Sequence, residues 1–212
     1  MARKLGLSRQ QVIDAAVTIA DRDGIEGVSL AAVATAVGAR APSLYAHVNG
    51  STGLRNAVAL EAARALADSM TKAVRRRQGA DALRATAYAY RHFATRHRGL
   101  YSSLHTTPAA DEVPEVFAAF AAPIQPILGA FADLGAAPAD RIALVRTLRS
   151  ALHGFVTLEA SGGFGLPEDI DASFDVLVDT LIAGITARAI SQPQQKSTVG
   201  DRPGQRRPRI GK

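Results

Sequence analysis

Arg40, Pro42, Ser43, Tyr45 and His47 are the residues of this 212-residue chain best placed to meet another molecule. They bring a permanent cation, two hydroxyls and an imidazole into one short stretch, with Leu44 and Val48 spaced i, i+4 among them. A helix built on this string turns Leu44 and Val48 inward and leaves Ser43, Tyr45, Ala46 and His47 on its outer face. Guanidinium, hydroxyl and imidazole groups on a small exposed helix are those that bond phosphate oxygens and base edges. Each also has a bland use, as a solvated turn arginine, a half-buried tyrosine ring or a packed histidine.

Catalytic patterns are missing by comparison. The five histidines, His47, His92, His97, His105 and His153, form no H-E-x-x-H or related zinc spacing, so no metal is expected. There is no G-x-S-x-G elbow, and the glycines at 162, 163 and 165 lack the strand-then-helix setting of a dinucleotide site. The chain has no cysteine, which excludes a disulfide framework and thiolate metal sites. Neither a cofactor nor a catalytic residue is expected.

The outer face at 40–47 needs helices to hold it, because a helix of about seven residues is unstable alone. Ser8 with Gln11 makes a capping box for a first helix, whose stripe is Val12, Ile13, Ala16, Ile19 and Ala20 and whose end is Gly24. Ser29 caps a second, with Leu30, Val33, Ala34 and Val37 inward. Gly38 gives the tight turn, and Pro42 suits the first turn of the third. Two short helices joined at a glycine are a helix-turn-helix, whose second helix enters the DNA major groove.

At these residues the chain resembles the tetracycline-repressor (TetR) family. The segment GIEGVSLAAVATAVGARAPSLYAHV, above all Pro-Ser-Leu-Tyr-x-His-Val at 42–48, is similar to that family's signature, over roughly residues 8 to 62. The resemblance implies that Ser29 meets a phosphate, that Arg40, Ala41, Pro42 and Ser43 lie at the groove-facing start of the recognition helix, and that Tyr45 and His47 contact backbone or base edges. Ser51 stands where many members have a phosphate-binding lysine, and Ala31 and Ala46 offer no hydrogen-bonding side chain. Direct base readout is therefore expected to be sparse, leaning on Arg40 and on DNA shape.

Composition predicts an all-α protein of about nine helices. Apolar residues are 47% of the chain and no alternating strand pattern stands out. The expected division is a helix-turn-helix DNA-binding domain at 1–50, a larger helical ligand-binding and dimerisation domain at 51–191, and a disordered basic tail at 192–212. Lys196, Arg202, Arg206, Arg207, Arg209 and Lys212 against Asp201 put +5 of the net +6 in that tail, where it either adds weak DNA attraction or only solubilises. No apolar run reaches about 18 residues and no signal peptide opens the chain, so a soluble cytoplasmic protein without membrane contact is expected.

Between head and tail the pattern stays helical. Leu54, Val58, Ala62, Leu66 and Met70 carry a fourth helix to about Arg77, and Gly79 to Arg96 make a fifth. A short helix lies within 97–105 and another run within 116–134, with Pro123 and Pro126 interrupting it. Pro138 to about Ser161 and 168–189 close the list. The last two helices carry wide apolar stripes with Leu148 and Phe155 on one, and Phe174, Leu177, Val178, Leu181 and Ile185 on the other. Such stripes pair two copies as a four-helix bundle or close the chain's own core. A homodimer also follows from the reading chemistry, since two-fold symmetry doubles a short site into a palindromic operator.

TetR members commonly hold a small molecule in this half, and 152–164, LHGFVTLEASGGF, is similar to a subgroup in which the His-Gly pair recurs. The resemblance thus implies an unidentified small-molecule inducer. Polar candidates for it are the i, i+4 pairs Tyr88 and His92, Tyr101 and His105, Arg149 and His153, with Phe117 and Phe120 as walls. Any of them can instead be a satisfied structural group. The resulting expectation is a ligand-responsive repressor, against a helical enzyme or a protein-binding scaffold.

Overall fold

The computed structural model describes residues 6–105 and 118–191. Its helices are α1 (Arg9–Asp23), α2 (Leu30–Ala36), α3 (Ala41–Leu44), α4 (Gly50–Ala73), α5 (Gly79–Arg96), α6 (Arg98–Ser103), α7 (Gln125–Asp133), α8 (Pro138–Ala160) and α9 (Ile170–Ser191). Short 3-10 turns at Ile25–Gly27 and Ala122–Ile124 lead into α2 and α7, and no strand occurs among the described residues. The fold class is all-α. No helix of the described residues is long and apolar enough to cross a membrane. The basic segment 192–212 lies outside the described residues.

Local chemistry sets the first helices. The Gln11 N–H donates to Ser8 Oγ at 3.2 Å while the Ser8 N–H donates to Gln11 Oε1 at 2.9 Å, satisfying two donors that the α1 terminus leaves open. Ser29 Oγ accepts from the Ala32 N–H at 3.1 Å and starts α2 in the same way. The end of α2 closes with Gly38 N–H to Thr35 O and Ala39 N–H to Ala34 O, with Gly38 at φ +64°. That is a Schellman end, and its left-handed residue is glycine because a Cβ would be strained there.

Two helices are shorter than their sequence pattern. The helical part of α3 is Ala41–Leu44 rather than about seven residues, because both His47 and Val48 donate to Leu44 O and tighten the chain into a turn. α4 ends at Ala73 instead of near Arg77. Arg76 there takes φ +62°, and the Gly79 N–H is held by Asp133 Oδ2 at 3.1 Å, which fixes the start of α5 beside α7. The prolines at 123 and 126 divide a 3-10 turn from α7 rather than kinking one helix.

One apolar core runs from the first helix to the last, including Val12, Leu44, Leu54, Met70, Phe131, Leu152 and Phe174. α4 packs against α1 on one side and α5 on the other, so the small head and the larger half share it. The apolar stripes of α8 and α9 belong to this core. Leu148, Phe155, Phe174, Val178 and Ile185 are buried within the single chain, and Leu177 and Leu181 are half-buried against it. The five buried residues are interior in the single chain, where α5 packs against both helices, while Leu177 and Leu181 keep part of their surface outside that core.

α5, α8 and α9 are also tied by a charged cluster. Arg91 meets Glu159 at 2.5 Å and Asp171 at 2.7 Å, with its guanidinium over the Phe174 ring at 4.7 Å. Arg91 and Glu159 keep only 13% and 16% of their side-chain surface in solvent. The Glu159 hydrogen bond, ahead of the burial that opposes it, raises the Arg91 pKa above the usual guanidinium value.

The larger half meets α1 backbone to backbone at Gly99 in α6. A Cβ built there would stand 1.7 Å from the Ala20 carbonyl oxygen and 3.1 Å from Gly24 Cα, both backbone atoms. Gly99→Ala should therefore destabilise the chain by about 1–3 kcal/mol or more in urea denaturation. Gly129→Ala, in α7 with nothing within 4 Å of the added carbon, should stabilise it by about 0.5–1 kcal/mol. Equal effects at the two sites would show that the contact at Gly99 is not close.

Candidate functional site

The outer face of α3 is presented by two anchors beneath it. Leu44 is fully buried and Val48 nearly so, each worth about 1.5–3 kcal/mol of apolar burial. Tyr45 stands out between them with 62% of its surface exposed. Arg40, Pro42, Ser43 and Ala46 are exposed, while Ala41 and His47 are half-buried. The Ser43 hydroxyl donates to Arg40 O at 2.7 Å, so its proton is engaged in the turn and only its lone pairs face outward. Ser29 is exposed at the start of α2 and Ser51 in the first turn of α4.

Two of the head's arginines are already paired. Arg22 pairs with Asp23 at 2.6 Å, and Arg55 with Glu26 at 3.4 Å. Arg40 forms no ion pair among the described residues, which leaves its guanidinium available to a phosphate or a guanine edge.

A second site lies inside the larger half. α4, α5, α6, α7 and α8 enclose a cavity of about 90 Å³. Ala63, Leu66, Met70, Ile127, Val145 and Leu152 make most of its wall. Of the sequence candidates, Tyr101, His105, Phe120 and Arg149 line it. His153 stands behind Tyr101, with its Nδ1 2.6 Å from the Tyr101 hydroxyl, and its ring lies 4.4 Å from that of His105. Phe117 lies outside the described residues.

Tyr88 and His92 are corrected as cavity residues. They sit on the other side of α5, where Tyr88 donates to Asp175 and packs edge-on against Phe174 at 5.4 Å, and His92 faces solvent. Tyr90 takes their place in the cavity wall, with its hydroxyl 2.7 Å from that of Tyr101. Two residues along a helix is a rotation of about 200°, which separates Tyr88 from Tyr90. The signal that finds Tyr90 is its membership of the buried stripe Leu83, Ala87, Tyr90 and Ala94.

The electrostatics of this cluster are set by burial and by one cation. Burial first, then His153 and Arg149, lower the His105 pKa below 6.5, and burial with Arg149 does the same for His153. Burial raises the Tyr90 and Tyr101 hydroxyls above the usual phenol value. At neutral pH the cluster is therefore two neutral imidazoles, two neutral phenols and the Arg149 charge.

Comparison with known proteins adds a third kind of observation. Residues 83–181 match the family described as "Tetracyclin repressor-like, C-terminal domain". The chain is 33% identical over 185 residues to the HTH-type transcriptional regulator YobS of Bacillus subtilis (strain 168), covering 87% of this chain and 96% of that one. It is also 33% identical over 188 residues to the HTH-type transcriptional regulator Rv0681 of Mycobacterium tuberculosis (strain ATCC 25618 / H37Rv), covering 89% and 86%. The fold superposes on the Streptomyces coelicolor TetR family protein ActR in complex with (S)-DNPA, with TM-score 0.64, 17% identity, and coverage of 87% of this chain and 100% of that one.

The histidine pair makes a pH prediction. With folded pKa values below 6.5, the unfolded chain binds more protons than the native one at acid pH. The stability from this pair is thus complete above about pH 6.5 and is lost as pH falls through that value toward the lowered folded ones. Urea midpoints at pH 7.5 and 5.5 check it. The acid-side loss should be smaller in His105→Gln/His153→Gln than in the parent chain, and a larger loss in the variant would reverse the assignment.

Proposed function

The chain belongs to the TetR family of helix-turn-helix transcriptional regulators, and we propose that it is a homodimeric repressor of a palindromic operator, released by a small molecule. It is a DNA-binding regulator rather than an enzyme, as are the relatives it matches. In this reading residues 1–50 are the DNA-binding domain and 51–191 hold ligand and partner. Tyr45 and Arg40 make the principal groove contacts, with Ala41, Pro42, Ser43 and His47 around them and Ser29 and Ser51 on phosphates.

The observation that carries the ligand response is the position of α6. Its Tyr101 lines the cavity, its Gly99 rests on the α1 backbone, and His97 just before it holds Asp21 of α1 at 2.9 Å. A ligand that moves Tyr101 moves the support of α1, and with it the seat of α2 and α3. Coupling energies of about 1–3 kcal/mol are ordinary for such a link and lower operator affinity roughly 5–150-fold. That ActR is named in complex with a small molecule favours the same use of the cavity.

The dimer face in this proposal is the outer side of α8 and α9. Ala143, Thr147, Ser150, Thr180, Ala183 and Gly184 are exposed small residues on it, with Leu158 and Val176 exposed beside them. Small side chains let helix axes approach closely, and two such pairs make a four-helix bundle between copies. A four-residue reading helix needs this second copy, since one head spans only a half-site.

Selection of bound sequences from random duplex DNA, followed by affinity measurement, tests the reading. A palindrome should emerge, and Tyr45→Ala and Arg40→Ala should each weaken it by about 1–3 kcal/mol with circular dichroism unchanged. Unchanged affinity in both variants would remove α3 from DNA recognition.

Gly184→Glu tests the assembly. An added Cβ meets nothing within 4 Å in the single chain, so the fold should survive. In the proposed interface an unpaired charge is costly, and sedimentation should show monomers with operator affinity reduced by more than about tenfold. A variant that remains dimeric would place the partner surface elsewhere.

A further inference from the structure

The polar groups of the cavity share one electrical character. No Asp or Glu is among the described residues that line it, and Arg149, an exposed residue, has no ion-pair partner among the described residues. The apolar wall of Leu66, Met70, Ile127 and Val145 lies opposite. An amine in this space would meet a like charge and no carboxylate among the described lining residues. A neutral hydrocarbon would use the apolar wall alone and gain nothing from the Arg149 guanidinium or the Tyr90 and Tyr101 hydroxyls.

The hydrogen-bond chain supplies a donor as well. Either hydroxyl of the Tyr90–Tyr101 pair can donate to the other, and His153 can take either tautomer toward Tyr101. With the proton on His153 Nδ1, the chain runs His153 to Tyr101 to Tyr90 and leaves the Tyr90 hydroxyl free to donate to a bound oxygen. Reversing it costs only a tautomer change. The polar side of the cavity is therefore built to receive an acceptor with negative charge, and guanidinium with carboxylate is the pairing of strongest geometry.

We propose that the cavity binds a small apolar monocarboxylate, its ring or short chain among Leu66, Met70 and Ile127 and its carboxylate at Arg149 and the Tyr90–Tyr101 pair. This rests on the reading of the cavity as the ligand site. Size bounds the ligand: about 90 Å³ is well below the roughly 300–1,000 Å³ of pockets for drug-sized molecules, so a single ring is the appropriate scale. A carboxylate at this position also presses on Tyr101, the residue through which α6 faces the cavity.

Met70 gives a direct readout. The chain's two methionines are Met1 and Met70, and Met70 lines the cavity, so methyl-labelled methionine in the full chain reports occupancy by NMR. Benzoate, benzamide, benzylamine and toluene are titrated as probes of one shape and differing charge. Benzoate should shift the Met70 methyl saturably with a Kd at least roughly tenfold below that of benzamide, as a charge-assisted hydrogen bond provides. Benzylamine should leave the signal in place. Arg149→Gln should raise the benzoate Kd to that of benzamide while benzamide binding is unchanged, which also shows the cavity intact. If benzamide, benzylamine or toluene binds as well as benzoate, or Arg149→Gln keeps the benzoate preference, the carboxylate assignment is overturned and the cavity reading stands. If none of the four probes moves Met70, both are overturned.

Discussion

Backbone pressed on backbone, Gly99 of α6 against Ala20 of α1 and Gly24 at its end, is the contact on which the proposed coupling between cavity and head depends. Side-chain contacts absorb a shift of a few tenths of an ångström by rotamer adjustment, whereas backbone contacts transmit it. α6 has only six residues, and one residue turns about 100° around a helix axis, so Gly99 and Tyr101 face in nearly opposite directions. The helix is thus a wedge with one face on the reading head and the other in the cavity. It is held on the cavity side by the Tyr101 hydroxyl to His153 and Tyr90, and on the head side by His97 to Asp21. Each of these bonds can be exchanged for a ligand's or for water's at small net cost. The wedge is fixed in shape and weakly fixed in position.

The rest of the larger half is rigid by contrast. Arg91, with Glu159 and Asp171, clamps α5, α8 and α9 around Phe155 and Phe174. A part-buried pair of this kind adds little over well-packed apolar groups, yet losing one partner leaves the other charge poorly compensated. In the proposed ligand response its consequence is a frame that holds still. Under the proposed function, motion started at Tyr101 is directed toward α1 rather than spread into α8 and α9, whose outer sides form the proposed partner face.

Much of this was legible residue by residue where the cause was local. Ser8 with Gln11, Ser29, Gly38 and Pro42 mark helix ends because a cap or a left-handed turn depends on a few neighbouring atoms. The short α3 was harder, since Tyr45, Ala46 and His47 carry no breaker and the tightening comes from both His47 and Val48 reaching Leu44 O. The stripes of α8 and α9 were legible as apolar but not as interior, because burial in the chain and burial in a partner favour the same residues. Tyr90 was hidden behind the more conspicuous Tyr88–His92 spacing. Gly99 gave no local sign at all, as its reason is a carbonyl far away along the chain.

Charge on the head bears on how such a regulator finds its site. Over residues 1–55 the cations Arg3, Lys4, Arg9, Arg22, Arg40 and Arg55 exceed the carboxylates of Asp14, Asp21, Asp23 and Glu26 by two, so the head carries a small positive charge. Non-specific affinity for DNA scales with the phosphates neutralised, and a head with so small a net charge neutralises few. Discrimination is a difference between specific and non-specific binding, so a weak background lets a sparse set of base contacts suffice. It also makes each contact matter more, because little phosphate affinity compensates a misplaced helix. A regulator built this way depends on the relative placement of its heads, and placement is what a wedge such as α6 is able to change.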